Sequence, residues 1–222
     1  MTLLDRRRHA PATARNREPI LEVLRREVTP LATSRPIHVL EIASGSGQHA
    51  IYLAPALDVA SWQPTDPDPA ARESIDAWRA HAGDPRILPA LDLDAARTPW
   101  PTLAQTPNVI LCVNMIHIAP WSACEGLFRG AEELFVTAAR SPPGPGAAPL
   151  LYLYGPYKRN GRHTAPSNEA FDEGLRSRDP SWGVRDLEEV VETARARGLA
   201  LRDVVEMPAN NLSVVFEPAS SP

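Results

Sequence analysis

The sequence predicts an α/β domain in which a mostly parallel sheet is covered by helices on both faces. Short apolar, β-branched segments alternate with segments of helical period through most of the 222 residues, which is typical of parallel sheets. Only about five residues, 207–211, separate the last two apolar segments. Because a parallel crossover needs about a dozen residues or more, we expect these two strands to pair antiparallel.

Three strands and three helices are predicted in the first half of the chain. The strand segments are short, apolar and rich in β-branched residues, as buried strands are: 37–42, 59–63 and 87–91. Helical spacing of apolar residues indicates helices at 15–28, 48–57 and 68–82. Pro69 falls in the first turn of the third helix, where its missing N–H costs nothing. Residues 1–14 are basic and polar, and we expect them to form a flexible tail.

The second half continues the pattern with four more strands and three more helices. Strands are predicted at 108–113, 150–154, 199–206 and 212–216. Helices are predicted at 122–137, 168–178 and 186–197. Gly198 is positioned as the C-cap of the last helix, and the prolines and glycines at 142–146 predict a turn. The whole chain is predicted to form one domain.

Composition and charge argue against several classes of function. The chain carries 23 Lys and Arg against 27 Asp and Glu, a net charge of −4, which argues against electrostatically driven binding of duplex nucleic acid. Cys112 and Cys124 are too few for a disulfide framework or a cysteine-rich zinc site, so we expect buried thiols and no metal. Because we see no secretory signal and no apolar stretch of about 18 residues, we expect a cytoplasmic protein without a membrane span.

A glycine-rich loop follows the first predicted strand and opens a helix. Gly45 and Gly47 permit positive φ there and let a ligand approach the backbone. The helix N-terminus adds free N–H groups and a dipole that favours anionic or acceptor atoms. Residues 45–50 also satisfy the G-x-G-x-x-A dinucleotide fingerprint, so this loop alone leaves a nicotinamide cofactor open.

Three acidic residues narrow the choice of ligand. Asp66 closes the second strand 19 residues after Gly47, where a carboxylate can accept both hydroxyls of a ribose. Asp92 closes the third strand, where an adenine edge would lie. Glu41 stands inside an apolar strand, where an unpaired carboxylate is costly, so we expect it to bind a ligand ammonium or the loop's own N–H groups. This charge would repel a pyrophosphate, whereas S-adenosylmethionine supplies a ribose, an ammonium and a sulfonium.

The segment V-L-E-I-A-S-G-S-G at 39–47 resembles motif I of class I S-adenosylmethionine-dependent methyltransferases. More narrowly, the chain resembles an uncharacterised, methyltransferase-like family of unknown function. The resemblance covers residues 15–216, nearly the whole chain. Its matching blocks are 15–21, 45–50, 62–66, 114–121, 154–157, 167–172, 179–186 and 207–211.

This resemblance implies a single-domain Rossmann-like fold over residues 15–217, with a seven-stranded, mostly parallel sheet and an antiparallel last strand. Residues 15–35 would form an N-terminal helix or lid, and 218–222 a C-terminal tail. The implied cofactor is S-adenosyl-L-methionine. The residues expected to bind it lie in the lid and at the carboxyl ends of the strands: Asn16, Glu41, Gly45, Gly47, Asp66, Asp92, Leu93 and Asn114.

Methyl transfer requires in-line alignment of the nucleophile with the methyl carbon, and a base only where the acceptor must lose a proton. The segment 114–117 lacks the double proline of the Asn-Pro-Pro-Tyr motif, which argues against methylation of amino or amide nitrogens in DNA and protein. His117 is a candidate general base, or instead a histidine hydrogen-bonded into the loop wall. Tyr157 is the second catalytic candidate.

The candidates for acceptor binding come from three regions. Arg15 belongs to the expected lid, and Met115 follows Asn114 at the end of the fourth strand. Arg162 and His163 belong to a basic loop expected after the fifth strand. That loop either binds an anionic or polar acceptor or is simply solvated.

The sequence therefore predicts an S-adenosylmethionine-dependent methyltransferase that acts on a small-molecule acceptor by direct displacement. One alternative is a nicotinamide-dependent oxidoreductase that uses the same glycine fingerprint, although Glu41 and the lack of a recognisable substrate domain argue against it. Another alternative is a sensor or partner-binding module that keeps the fold without turnover. No nucleic-acid partner and no membrane are expected.

Overall fold

The structure, a computed structural model, describes residues 5–32, 35–140 and 148–219. Within this part of the chain the helices are α1 (Pro11–Ala32), α2 (Gln48–Ala56), α3 (Pro69–Ala82), α4 (Trp121–Arg140), α5 (Pro166–Arg178) and α6 (Leu187–Arg195). The strands are β1 (His38–Ile42), β2 (Ser61–Pro64), β3 (Val109–Val113), β4 (Leu150–Arg159), β5 (Arg162–His163), β6 (Arg185–Asp186), β7 (Leu199–Met207) and β8 (Asn211–Pro218). The turn predicted at 142–146 lies outside the described residues.

The strands form one mixed sheet in the order β2-β1-β3-β4-β8-β7, with β5 and β6 paired beside β4. β1 pairs parallel with both β2 and β3, and β3 pairs parallel with β4. The last strand, β8, lies between β4 and β7 and pairs antiparallel with both. The predicted sheet, mostly parallel with an antiparallel last strand, is therefore confirmed. The carboxyl ends of β1 to β4 meet at one edge, where a ligand site is expected.

The strand predicted at 87–91 forms no continuous ladder. These residues run beside β2 but pair with it only through two isolated parallel bridges, at their first and last positions. Pro89 has no N–H to donate, and its carbonyl accepts a hydrogen bond of 2.7 Å from the Gln63 side chain. The sheet of the described residues has eight strands rather than the predicted seven, because the segment 87–91 forms none and the two-residue strands β5 and β6 extend the sheet at β4.

Alternate residues of β1 face opposite sides of the sheet, so this strand joins two apolar cores. Leu40 belongs to the core that α4 and α6 cover, and Val39 belongs to the core that α1 and α2 cover. Cys112 and Cys124 are free, buried thiols in the first of these cores, as expected. The predicted helical layers on both faces are therefore confirmed.

Part of the segment predicted to be a flexible tail is structured. Helix α1 begins at Pro11, four residues before its predicted start. Preceding it, the Arg8 N–H donates to Ser74 Oγ at 2.8 Å, and the Ala10 N–H donates to Gln48 Oε1 at 2.6 Å. These hydrogen bonds hold residues 8–10 against α2 and α3. Tertiary contacts therefore order residues whose local composition alone favours a mobile tail.

Candidate cofactor and acceptor site

The glycine loop at 43–47 joins β1 to α2 at the carboxyl edge of the sheet. Gly45 and Gly47 have positive φ values of +58° and +86°, which glycine adopts without a Cβ penalty. A Cβ on Gly47 would lie 2.8 Å from the backbone Cα of Ile75, whereas a Cβ on Gly45 would meet nothing within 4 Å. Glycine at position 47 is therefore required both by the turn and by the close packing of α3.

Asp66, two residues beyond β2, meets the glycine loop directly. Its Oδ2 accepts the N–H of Gly45 at 2.9 Å, and its Oδ1 accepts the N–H of Asp68 at 2.9 Å. Burial raises the pKa of Asp66, although the N–H groups of Asp68 and Gly45 favour its charged form and lower the pKa. A carboxylate has about four acceptor positions, so these two bonds leave positions for ligand hydroxyls.

Arg72, which the sequence analysis missed, connects the loop after β2 to Asp92. Its Nη1 donates to the carbonyls of Asp66 at 2.8 Å and Pro67 at 2.9 Å, and it lies 3.3 Å from Asp92 Oδ1. The Asp92 side chain is 70% exposed. The two predicted carboxylates therefore belong to neighbouring loops, and the sequence offers no periodicity or motif that would have singled out Arg72.

Glu41 is directed into the interior instead of toward an open ligand site. Its side chain is 1% exposed, and its Oε2 accepts the indole N–H of Trp62 at 2.9 Å. Burial raises the pKa of Glu41 to about 7, although hydrogen bonds from Trp62 and Ser44 lower it. We therefore reassign Glu41 from the predicted contact with a ligand ammonium to a buried support of the strand that carries the loop.

Two other predicted site residues belong to the apolar core. Leu93 is 2% exposed and Met115 is 6% exposed, and both pack in the core beneath α4 and α6. Neither side chain reaches the crevice described below. The resemblance implied a cofactor contact for Leu93, and the position of Met115 after Asn114 suggested an acceptor contact. Both side chains turn inward because they are apolar.

His117 and Tyr157 are fully buried, so neither side chain is placed to exchange a proton with an acceptor. Their rings meet edge to face with centroids 4.9 Å apart, and both residues are 0% exposed. The N–H of Arg185 donates to His117 Nδ1 at 3.3 Å. Burial lowers the pKa of His117 to about 3 and raises that of Tyr157 far above its usual range. We therefore reassign both residues from catalysis to packing behind the site.

The basic loop expected after the fifth strand is instead a β-hairpin. β4 continues to Arg159, and β5 returns antiparallel beside it. Asn160 and Gly161 make the turn with φ values of +51° and +73°. An Asn-Gly pair is the strongest short-range indication of a two-residue hairpin turn, so the sequence did contain the information.

Two basic residues of the hairpin, Lys158 and His163, form ion pairs with Asp172 in α5. Asp172 in α5 lies 3.0 Å from Lys158 Nζ, 3.3 Å from His163 Nε2 and 3.2 Å from Arg176 Nε. Burial raises the pKa of Asp172, but the Lys158 hydrogen bond and the neighbouring positive charges lower it by more. The pKa of Asp172 is therefore below its ordinary value. His163 is therefore reassigned from acceptor binding to this ion-pair cluster, and Arg162 is exposed and does not line the crevice.

An open crevice of about 530 Å³ lies at the carboxyl ends of β3 and β4. Of the predicted residues it brings together Arg15, Asn16 and Asn114. The other lining residues, which the sequence analysis did not select, are Ala12, Tyr154, Pro156, Ser167, Asn168, Phe171, Pro208, Ala209 and Asn211. Several of these fall inside the blocks 154–157, 167–172 and 207–211, so the motif blocks were the available indication of this wall.

Asn114 ends β3 in a left-handed conformation, with φ of +63°. Its N–H donates to the Tyr154 carbonyl at 2.7 Å, which holds the turn against β4. The Asn114 side chain makes no hydrogen bond to any residue that the structure describes. Its Oδ1 lies only 3.2 Å from where a Cβ on Gly155 would stand. The amide therefore keeps donor and acceptor capacity for a ligand.

Asn16 anchors the first helix to the site. Its Oδ1 is 2.9 Å from His49 Nε2 in α2. Burial lowers the pKa of His49 to about 4, so the ring is neutral at physiological pH and donates Nε2–H to Asn16. His49, another residue that the sequence analysis did not select, thereby fixes the predicted lid helix beside the glycine loop.

Two further features of the described residues concern membranes and metals. Among them, no helix is long and apolar enough to cross a membrane. In the same part of the chain, no group of three or more His, Cys, Asp or Glu side chains is placed to hold a metal ion.

Several solved structures, methyltransferases among them, share this fold. The S-adenosylmethionine-dependent methyltransferase SibL aligns with a TM-score of 0.68 at 15% identity, over 94% of this chain and 56% of SibL. An O-methyltransferase family protein from Burkholderia thailandensis aligns with a TM-score of 0.71 at 15% identity, over 95% of this chain and 58% of that protein. YcgJ from Bacillus subtilis aligns with a TM-score of 0.67 at 14% identity, over 92% of this chain and 100% of YcgJ. The chain thus spans less than three fifths of the first two proteins, and the shared feature is the Rossmann-like class I methyltransferase fold.

A family model also matches the sequence itself. The match runs over residues 7–218, and the model is described as "Protein of unknown function (DUF938)". The matched range includes the glycine loop, the loops that carry Asp66 and Asp92, and every described residue that lines the crevice. The resemblance found in the sequence blocks is thereby confirmed. The chain belongs to the DUF938 family and has the fold of class I methyltransferases.

Proposed function

We propose that this protein binds S-adenosylmethionine and transfers its methyl group to a small-molecule acceptor. The observation that carries the proposal is the contact between Asp66 and Gly45, 2.9 Å apart, which joins an acid at the tip of β2 to the glycine loop after β1. The arrangement places a carboxylate beside the glycine loop and the N-terminus of α2, at one point of the carboxyl edge. Such a pair suits a ribose beside a helix N-terminus.

The residues present fit the proposed cofactor. Asp66 has acceptor positions left that would receive ribose hydroxyls, and Asp92, 70% exposed on the next loop, would accept from an adenine edge. Gly45 leaves open space above the loop. When bound, the cofactor supplies a methyl group on a positively charged sulfur. Asn114 lines the crevice at the end of β3, the strand that pairs with β1, and its amide could orient the methionyl end or the acceptor.

Calorimetry with S-adenosylhomocysteine and with NAD tests the proposal against an oxidoreductase. We expect S-adenosylhomocysteine to bind and NAD to bind at least about tenfold more weakly, since the solved structures that share this fold include S-adenosylmethionine-dependent methyltransferases. Binding of NAD alone would overturn the proposal. Methyl transfer from labelled cofactor into small molecules of cell extracts then distinguishes an enzyme from a non-catalytic sensor, because a sensor transfers no label.

Substituting Asp66 by alanine should weaken binding of S-adenosylhomocysteine by at least about tenfold, since hydrogen bonds to a charged acceptor are lost. The measurement is calorimetric affinity, with thermal unfolding as a check on folding. Glu22→Ala serves as the control, because Glu22 is an exposed acid on α1 away from the loop. Unchanged affinity in a folded Asp66→Ala variant would remove Asp66 from the site.

A further inference from the structure

We propose that the acceptor is a carboxylic acid with an apolar body, and that its carboxylate oxygen receives the methyl group. This inference rests on the proposed function and concerns the crevice at the ends of β3 and β4. It follows from the charge of the lining, from the donors that remain free there, and from one uncovered aromatic ring.

The charge of the crevice favours an anion. Among the described residues that line it, Arg15 is the only charged one, and none is Asp or Glu. Within the described residues Arg15 forms no ion pair, whereas the neighbouring basic residue Arg17 stacks on Tyr52. An acceptor ammonium would find no counterion here, but a carboxylate would find a guanidinium that can bind both of its oxygens.

The hydrogen-bond donors that remain free point to the same group. Asn168 donates its amide hydrogens to Thr164 at 3.1 Å and to the carbonyl of Asn210 at 2.9 Å. The amide of Asn211 is likewise occupied by the carbonyls of the short turn before it. Asn114 has an unoccupied amide among the described residues, so Asn114 and Arg15 can both donate hydrogen bonds to a carboxylate in the crevice.

Phe171 supplies the surface for an apolar body. It is 43% exposed, whereas the other three phenylalanines, Phe128, Phe135 and Phe216, are buried in the core beneath α4 and α6. Its ring lines the crevice together with Pro156 and Pro208. The volume of about 530 Å³ lies within the range of sites for small organic ligands, which are mostly apolar with a few placed polar groups.

A carboxylic acid also suits the position of the ionisable groups. His117 and Tyr157 are both 0% exposed, so neither reaches an acceptor in the crevice. A carboxylate is already ionised at neutral pH, and its oxygen attacks without losing a proton. One oxygen–carbon bond forms, the methyl–sulfur bond breaks, and the sulfur keeps the electron pair. The products are a methyl ester and a neutral thioether, so charge and atoms balance.

Labelled methyl transfer to matched acceptors tests this inference. Phenylacetate, 3-phenylpropionate and octanoate are each compared with the amine and the alcohol of the same carbon skeleton, using the full chain and methyl-labelled S-adenosylmethionine. We expect label only in the acids, released as methanol by mild alkali, which identifies a methyl ester. If S-adenosylhomocysteine binds but amines or alcohols are methylated, or no acid is methylated, the acceptor inference fails alone. If S-adenosylhomocysteine does not bind, the proposed function fails as well.

Substitution of Arg15 separates the acceptor pocket from the cofactor site. We expect Arg15→Gln to raise the KM for the acid at least about tenfold and to leave the affinity for S-adenosylhomocysteine within about twofold. Arg25→Gln is the matched control, since Arg25 is an exposed arginine on α1 that does not line the crevice. Equal KM values for Arg15→Gln and the control would overturn the role of Arg15.

Discussion

At pH 8 the Glu41→Gln variant should be more stable than the wild-type protein, with a free energy of unfolding higher by on the order of 3 kcal/mol. This magnitude follows because each pKa unit corresponds to about 1.4 kcal/mol. The cause is burial, which raises the pKa of Glu41 from 4.5 to about 7. Above that pH the native protein must hold an ionised carboxylate at 1% exposure. Glutamine keeps an acceptor for the Trp62 indole and carries no charge.

Proton binding by Glu41 decides whether the stability of the wild-type protein rises or falls with pH. Between pH 4.5 and about 7 the folded protein retains the Glu41 proton that the unfolded chain releases, so the wild-type protein loses stability as the pH rises through this interval. The difference between variant and wild type should therefore be small near pH 4.5, grow up to about pH 7 and remain level above it. Urea unfolding at a series of pH values measures this difference.

Glu27→Gln is the informative control because Glu27 is also buried, at 5% exposure. Its carboxylate pairs with Arg26 at 2.8 Å and Arg202 at 3.1 Å. Removing that charge leaves the arginines without their partner, so this variant should be less stable than wild type at pH 8. A stabilised Glu27→Gln, or a Glu41→Gln difference that does not change with pH, would contradict our account of Glu41.

The Gly155→Ala variant should lower the free energy of unfolding by about 1–3 kcal/mol, the usual cost of overpacking a well-packed interior. A Cβ at position 155 would lie 2.5 Å from His117 Nε2 and 2.6 Å from its Cδ2. The ring cannot simply move away, because it is 0% exposed and packs against Tyr157 on another side. Because Asn114 Oδ1 lies 3.2 Å from the same point, methyl transfer should fall together with stability.

Gly174→Ala provides the matched control for Gly155→Ala. Gly174 lies inside α5, and a Cβ there would meet nothing within 4 Å. Alanine is favoured over glycine in a helix by about 0.5–1 kcal/mol, so this variant should be slightly more stable than wild type. Chemical denaturation of both variants measures the contrast. A Gly155→Ala protein as stable as Gly174→Ala would show that His117 has room to move.

Much of the fold could be predicted from the sequence because each element carries its own local pattern. The β-branched runs that became β1 and β3, and the short connection that makes β8 antiparallel, are visible without any tertiary information. The segment at 87–91 has the same apolar character, yet Pro89 interrupts its backbone pairing with β2. The Asn160-Gly161 turn was also readable, but the basic residues around it suggested a binding loop instead of a hairpin.

The part of the candidate site that backbone geometry defines could be predicted from the sequence. The part that depends on which side chains are buried could not. Gly45, Gly47 and Asp66 meet because they follow neighbouring parallel strands, which the spacing of motifs already implies. His117 and Glu41 have side chains suited to chemistry, but the structure surrounds each with aromatic rings and apolar walls. His49 contacts Asn16 from 33 residues away in sequence, and Arg72 joins the loop after β2 to Asp92. No local pattern indicates such contacts.

The sequence by itself determined the order of strands and helices, the glycine turn and the family to which the chain belongs. Only the tertiary structure decided which polar side chains remain open to a ligand. The physical reason is that periodicity and turn chemistry act over a few residues, whereas solvent exposure depends on segments that meet from distant parts of the chain. Arg15 and Phe171 are separated by more than half of the sequence, and folding brings them to the same crevice.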